Sequence, residues 1–308
     1  MRVLITGGAG FIGSHLVEHF QGRAEVRVLD DFSTGFARNL EGFDCDLQRG
    51  SICDPDAVRR AVEGVDYVFH LAAMISVPQS MTQPQECVEL NVRGLLNVLE
   101  ASATAGVKKF MLASSAAIYG DNPTVPKVES MLPEPKSPYA ITKLDGEYYC
   151  AMFAAAGSLE TACLRFFNVF GPRQNPKSAY AAAVPIFISK ALANEALTIY
   201  GDGGQTRDFV FVKDIVGALD FIARQTGAVG VYNCGYGQKI SIKELAEKII
   251  AAADSRSPVE HEPERPGDVR HSLASVDKLL ATGWKPSSNL EEGLRVTLES
   301  FRSAAKGR

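Results

Sequence analysis

In the stretch SPYAITK, Tyr139 and Lys143 stand four residues apart, which on a helix puts both side chains on one face. An ammonium beside a phenol stabilises the phenolate and draws its pKa down from about 10, so such a pair could take and return a proton. Ser137 can N-cap that helix, and Pro138 suits its first turn. Alone, a Tyr/Lys pair at this spacing is usually a surface pair. A second stretch, LASSAAIYGD, ends an apolar run in Ser114 and Ser115 and follows them with Ala116 and Ala117. It offers hydroxyls with nothing ionisable beside them.

Upstream, TGGAGFIG sets Gly7, Gly10 and Gly13, with Phe11 and Ile12 between the last two, after an apolar run and at the start of a helical pattern. Glycines there allow a tight turn and let backbone amides approach a pyrophosphate at the helix N-terminus. The second apolar run ends in Asp30, a carboxylate suited to both ribose hydroxyls of NAD. DDFSTG then adds Asp31, Ser33, Thr34 and Gly35 around the adenosine. Asp30 would repel the 2′-phosphate of NADP, and no arginine follows at once, although Arg38 is not far. The expected cofactor is NAD. Its cationic nicotinamide would act with Lys143 on the phenol, and with this fingerprint present Tyr139 reads as a general base.

The elements that must position these groups follow from the pattern. RVLIT (2–6), VRVLD (26–30), YVFHLAA (67–73), KFMLASS (109–115) and ACLRFF (162–167) read as buried parallel strands. Helical patterns lie between them at about 11–21, 55–63, 84–105 and 138–156. This alternation predicts an α/β fold, a Rossmann-type doubly wound parallel sheet. After Gly171 the texture changes to a polar loop, a helix over 180–195, a strand near 197–200 and a strand entering a helix in TRDFVFVKD. GVYNCG (230–235) is a further strand, helices follow at about 241–253 and 290–303, and 257–272 reads as a surface loop. The expected division is a dinucleotide domain over 1–170, with returning segments about 207–234, and a smaller C-terminal α/β substrate domain from 171–206 and 235–308.

The 308 residues can bury a sizeable core. A composition 46% hydrophobic and 22% charged is that of an ordinary globule, and a net charge of -4 gives no basic field for nucleic acid or anionic membrane. No apolar run reaches the roughly 18 residues of a membrane span. Arg2-Val3-Leu4-Ile5 enters a strand directly, without an export signal, and the six cysteines form no C-x-x-C pair. They read as reduced thiols, several in the core, and the expected compartment is the cytoplasm.

TGGAGFIGSHL, FHLAA, NVRGLLNVLEA, SSAAIYG, PYAITK, RFFNVFGPRQ and TRDFVFVKDI together resemble the extended short-chain dehydrogenase/reductase family, and within it the nucleotide-sugar 4-epimerases. The resemblance spans nearly the whole chain. It implies that Ser115, Tyr139 and Lys143 are the catalytic set. It implies cofactor contacts also at Ile52, Leu71, Ala72, Ala73 and Asn91. For a UDP-sugar it implies Asn168, Val184, Tyr200, Arg207, Arg265, Asp268 and Ser272, besides Ser115. Two arginines can neutralise a diphosphate through forked hydrogen bonds. Two positions depart from the family: Ser51 stands where an Asp commonly meets the adenine amine, so a weaker contact is expected, and Asp31 stands where Asn is frequent.

The implied reaction inverts C4 through a transient 4-keto sugar. Relatives that dehydrate carry Asp-Glu directly after the catalytic hydroxyl, and decarboxylating relatives carry a Glu. Here Ala116 and Ala117 cannot move a proton, so elimination is disfavoured. Ser272, where a bulky aromatic would exclude an N-acetyl group, and the small Ala182 and Ala183 favour UDP-GlcNAc/UDP-GalNAc, with UDP-glucose/UDP-galactose as well. UDP-glucuronate 4-epimerisation is the runner-up. Two other classes stay open, a non-catalytic NAD-binding regulator and a net reductase. The family also implies a homodimer built from helices 84–105 and 138–156. HLVEH fits a metal-binding pattern, but its helix must pack on the sheet; His15 and His19 are expected on a polar flank, with no metal. His70 is expected at a strand end or in the core.

Overall fold

The protein is described here by a computed structural model covering residues 1–176, 182–264 and 269–306. The first half runs β1 (Arg2–Thr6), α1 (Phe11–Phe20), β2 (Glu25–Asp30), β3 (Asp46–Arg49), α2 (Pro55–Val62), β4 (Tyr67–His70), α3 (Val77–Thr82), α4 (Pro84–Val88), α5 (Gly94–Thr104), β5 (Lys109–Ser115), α6 (Pro138–Ala155) and β6 (Glu160–Phe166). Then come β7 (Asn168–Phe170), α7 (Ala183–Ala193), β8 (Leu197–Tyr200), β9 (Thr206–Arg207), β10 (Phe209–Phe211) and α8 (Val212–Arg224). The chain closes with β11 (Gly230–Cys234), β12 (Ile240–Ser241), α9 (Ile242–Ala253), β13 (Val259–Glu262), α10 (Asp277–Leu280) and α11 (Leu290–Lys306).

Seven strands pair in parallel in the order β11-β6-β5-β4-β1-β2-β3. The order reverses between β1 and β4, and the crevice outside the carboxyl ends there is where such sheets take ligands. Strands that read as continuous apolar runs are buried on both faces, as Val3, Leu4 and Ile5 show with no exposure. On one face Val3 and Ile5 pack with Leu16, Phe20 and Leu219 of α1 and α8. On the other, Leu4 and Val68 pack with Val58, Leu95, Leu99 and Cys150 of α2, α5 and α6. A third core gathers Val184, Phe187, Leu245, Leu294 and Leu298 of α7, α9 and α11 over β8 and β10.

Several expectations change. The single helix over 84–105 is α4, a π-helical turn over Glu89–Arg93, and α5. β3 was not foreseen, because DLQR is an edge strand with little burial and no apolar alternation. The 257–272 surface loop contains β13, paired with β8 in parallel and exposed throughout, so hydrophobic patterning had nothing to report. His15 is not on a polar flank: it is 4% exposed, its Nε2 meets the Pro172 carbonyl at 2.9 Å, and burial lowers its pKa. His19 pairs with Asp220 at 2.9 Å. Among the described residues no three His, Cys, Asp or Glu side chains gather as metal ligands.

Candidate active site

The carboxyl edge of the sheet opens into a cavity of ≈ 1440 Å³, larger than a pocket for one small molecule. Its walls include Gly7, Gly10, Phe11, Ile12 and Gly13 after β1, and Asp30, Asp31, Ser33, Thr34 and Gly35 after β2. Ile52, Leu71, Ala72 and Ala73 follow, then Ser115, Tyr139, Lys143, Asn168, Val184, Tyr200 and Arg207. Ala182 and Ala183 line it as well.

The Gly-rich turn fits a dinucleotide on its own geometry. Gly7 has φ +71°, and a Cβ there would lie 2.8 Å from the Ala72 amide nitrogen. A Cβ on Gly13 would collide with the Gly7 carbonyl oxygen. Helix α1 starts with no side-chain cap and no acid in its first turn, so its electropositive amide end meets the cavity without a competing carboxylate. Asp30, 7% exposed, accepts the Ala9 amide at 2.8 Å on Oδ2 and the Phe32 amide at 2.8 Å on Oδ1. Each oxygen keeps a lone pair for a ribose hydroxyl. Burial raises the Asp30 pKa, against the two amides. Asp30→Asn, which keeps the shape and removes the charge, is expected to weaken NAD binding about tenfold, the scale of one charge-assisted hydrogen bond. Titration calorimetry on NAD-free protein measures it, and unchanged affinity would rule the contact out.

Three expected contacts lie outside the walls. The Ser51 hydroxyl accepts the Cys53 amide at 3.2 Å, while its neighbours Gly50 and Ile52 line the cavity. Asn91, 5% exposed, accepts the Met74 amide at 2.7 Å and donates to the Met74 carbonyl and the Thr142 hydroxyl, both at 3.0 Å. It ties the 71–74 loop to α6 from behind. Ser272 donates its amide to Thr206 at 3.0 Å and is not among the lining residues. Arg265 and Asp268 lie outside the described residues. Reasoning from sequence missed Gln79 of α3 and Gln85 and Glu86 of α4, polar residues that belong to none of the motifs read above. It also missed Gln205, although the polar run before Arg207 was a usable signal.

Helix α6 begins as its sequence demands, with the Ser137 hydroxyl accepting the Ala140 amide at 3.2 Å and Pro138 at its first position. The Tyr139 amide donates to the buried Ser80 hydroxyl at 3.2 Å. Ser115 ends β5, and its hydroxyl accepts the Ala117 amide at 3.1 Å. That leaves its proton for the Tyr139 side, and the Ser115 hydroxyl acts to lower the Tyr139 pKa. Lys143 is 7% exposed, donates to the Ala113 carbonyl at 2.8 Å and lies 5.9 Å from the Tyr139 ring centre. Burial pushes the Tyr139 phenol up, and the Ser115 hydroxyl opposes it. Burial itself holds Lys143 down at about 8.

His70 is a core residue, 3% exposed, with Nδ1 at 3.0 Å from the Thr6 hydroxyl. Burial, then Lys143, lowers its pKa to about 3. The unfolded chain therefore takes up this proton near 6.5 while the folded one refuses it, and stability is lost as pH falls from there towards 3. Between pH 6.5 and 4, His70→Gln is expected to remove about 3 kcal/mol of the wild-type acid loss. Urea unfolding of both proteins at the two pH values reads this, and parallel curves would contradict it.

A sequence profile described as the NAD dependent epimerase/dehydratase family matches residues 3–235. The chain is 37% identical to a UDP-glucose 4-epimerase of Mycolicibacterium smegmatis, over 99% of this chain and 100% of that protein. Its structure is similar to a UDP-N-acetylglucosamine 4-epimerase from Methanobrevibacter ruminantium in complex with UDP-N-acetylmuramic acid, with a TM-score of 0.95, 39% identity and 98% of each chain covered. It is also similar to a UDP-glucose 4-epimerase of Thermus thermophilus in complex with NAD, with a TM-score of 0.91, 39% identity, and 99% and 100% covered. A parallel sheet that switches direction beside a capless Gly-rich helix, matched over its length by such proteins, makes this chain a member of the NAD-dependent epimerase/dehydratase family.

Proposed function

We propose that the protein is a UDP-sugar 4-epimerase that inverts C4 through a transient 4-keto sugar. The observation that carries this is the meeting of Ser115, Tyr139 and Lys143 in one cavity, with Ala116 and Ala117 directly after the serine. The relatives named above support it.

When bound, NAD supplies a hydride acceptor that gives the hydride back within the same turnover, and a cationic ring that favours the phenolate. Gly7, Gly10, the α1 amides and Asp30 would hold it. Tyr139 takes the proton of the sugar 4-hydroxyl and later returns it. Ser115 hydrogen-bonds the same oxygen, so charge on O4 is never left unsolvated. Lys143 keeps a positive charge below the phenol and reaches for the cofactor ribose. Arg207, with Arg265, neutralises the diphosphate about which the keto sugar turns, while Asn168, Val184, Tyr200 and Asp268 complete the nucleotide-sugar site. Residues 171–206 and 235–308 form this substrate half. Without an acid or base at positions 116 and 117, the keto sugar has no partner for elimination.

Small side chains at Ala182 and Ala183 support UDP-GlcNAc/UDP-GalNAc as substrates, with UDP-glucose/UDP-galactose alongside. Incubation with UDP-GlcNAc, UDP-glucose and UDP-glucuronate, followed by proton NMR of C4 stereochemistry, tests this. Inversion of UDP-glucuronate alone would move the assignment to that sugar, and no inversion of any would reject it. The working form is a homodimer in the cytoplasm. Ile141, Tyr148 and Met152 make an exposed stripe on α6, 47%, 61% and 55% exposed, beside Val88 at 49%, which a second copy would cover as a four-helix bundle. None of the six cysteines is in a disulfide, which suits a reducing compartment. No helix among the described residues is long and apolar enough to cross a membrane.

A further inference from the structure

Behind the site runs a buried polar chain that none of the chemistry above uses. Glu147 stands one helical turn past Lys143 and two past Tyr139 on α6, and is 4% exposed. Arg165 of β6, also 4% exposed, grips it with a fork, Nε to Oε1 at 2.8 Å and Nη2 to Oε2 at 2.7 Å. The Ser114 hydroxyl donates to the same Oε1 at 2.5 Å. Arg165 Nη1 donates to the Tyr119 hydroxyl at 2.8 Å, and Tyr119 donates to Asn233 Oδ1 at 2.7 Å.

This chain holds the Ser115 segment at both ends. Ser114 precedes Ser115 in β5, and Tyr119 closes the single 3-10 turn, Ala116–Tyr119, that Ser115 caps. Its other pole is the helix that carries Tyr139 and Lys143. A buried ion pair adds little net stability over an apolar filling of the same volume. A forked arginine–carboxylate pair does fix direction as well as distance.

We propose that Glu147 is a positioning residue of the reaction. With Arg165, Ser114 and Tyr119 it sets the register of α6 against the end of β5, and thereby the approach of Ser115 to Tyr139. The proposal rests on the epimerase reading of this site. A misplacement of about 1 Å between reacting groups costs about 10²-fold in rate. Val184, Tyr200 and Arg207, on other elements, are untouched by the latch, so substrate binding should be spared.

The test uses Glu147→Gln and the paired Glu147→Leu/Arg165→Met, which removes both charges and refills the space. Both are expected to lower kcat by about 10- to 100-fold with KM for the UDP-sugar changed by less than about threefold. The Tyr139 phenol, followed by carbon-13 NMR of labelled tyrosine and assigned with Tyr139→Phe, should titrate at higher pH in both, since the Ser115 hydroxyl that favours the phenolate is displaced from it. This second readout needs no turnover. A wild type that inverts no UDP-sugar would therefore defeat the epimerase reading while the titration still decides the latch. A paired variant that binds NAD, turns over within about twofold of wild type and leaves the Tyr139 titration unmoved would overturn the proposal. Should the paired variant not fold, Ser114→Ala removes one bond of the chain and is judged by the same two readouts.

Discussion

Tyr139→Phe is expected to lower kcat for C4 inversion by about 10³-fold, within the range that a positioned acid–base group contributes. The change removes one oxygen and little else. The ring keeps its place, the amide of residue 139 still donates to Ser80, and the Ser137 cap is untouched. NAD affinity and KM should therefore stay within a few-fold of wild type. The loss should fall on kcat, because the proton moves only in the transition state. The structure sharpens the reason. Burial raises the phenol pKa, and the one hydroxyl opposing it is Ser115, so the free protein holds a protonated tyrosine that must be brought down by what binds beside it. Inversion rates by NMR, with matched circular dichroism spectra, measure the effect. A variant inverting C4 at the wild-type rate would remove Tyr139 from the mechanism.

The parts legible in the sequence were those in which one residue type has one good use. Gly7 and Gly13 stand where a Cβ has no room, Asp30 ends a strand, and Ser137-Pro138 can only begin a helix. Apolar runs located six of the seven strands of the main sheet; β3 escaped because an edge strand needs no apolar face. Elements held by polar backbone pairing alone, such as β13 on β8, left no pattern to find. The site was less legible at the level of single side chains. The Ser51 hydroxyl and the Asn91 amide, both expected at the cofactor, hydrogen-bond within the chain. Adjacency in sequence fixes which loop faces the cavity but not which way a side chain points. Buried charges were the least visible, since Glu147 and Arg165 look in sequence like any charged residues and are recognised only once α6 is laid against β6.

Lys109 is the clearest case of that blindness, and Lys109→Met is expected to lower stability by about 4 kcal/mol. A lysine at the start of KFMLASS would be assigned to solvent, yet it is 2% exposed. Its Nζ donates to the carbonyls of Ile222, Gln225 and Ala228 at 3.2, 2.6 and 3.3 Å and lies 3.1 Å from Glu160. The last turn of α8 and the segment after it present carbonyls towards the core, and this ammonium gathers them while pinning α8 across the sheet from β5. Methionine fills the volume but donates nothing, so all three carbonyls lose the ammonium, although those of Ile222 and Gln225 still accept the Gln225 and Ala228 amides. Catalysis should not follow stability. Lys109 begins the seven-residue β5 that Ser115 ends, about 20 Å away at strand rise, with no shared partners. Urea unfolding and kcat on the same preparation separate the two effects. A stability loss under about 1 kcal/mol would refute the capping role, and a kcat loss in the fully folded variant would mean that strain at the far end of β5 reaches the site.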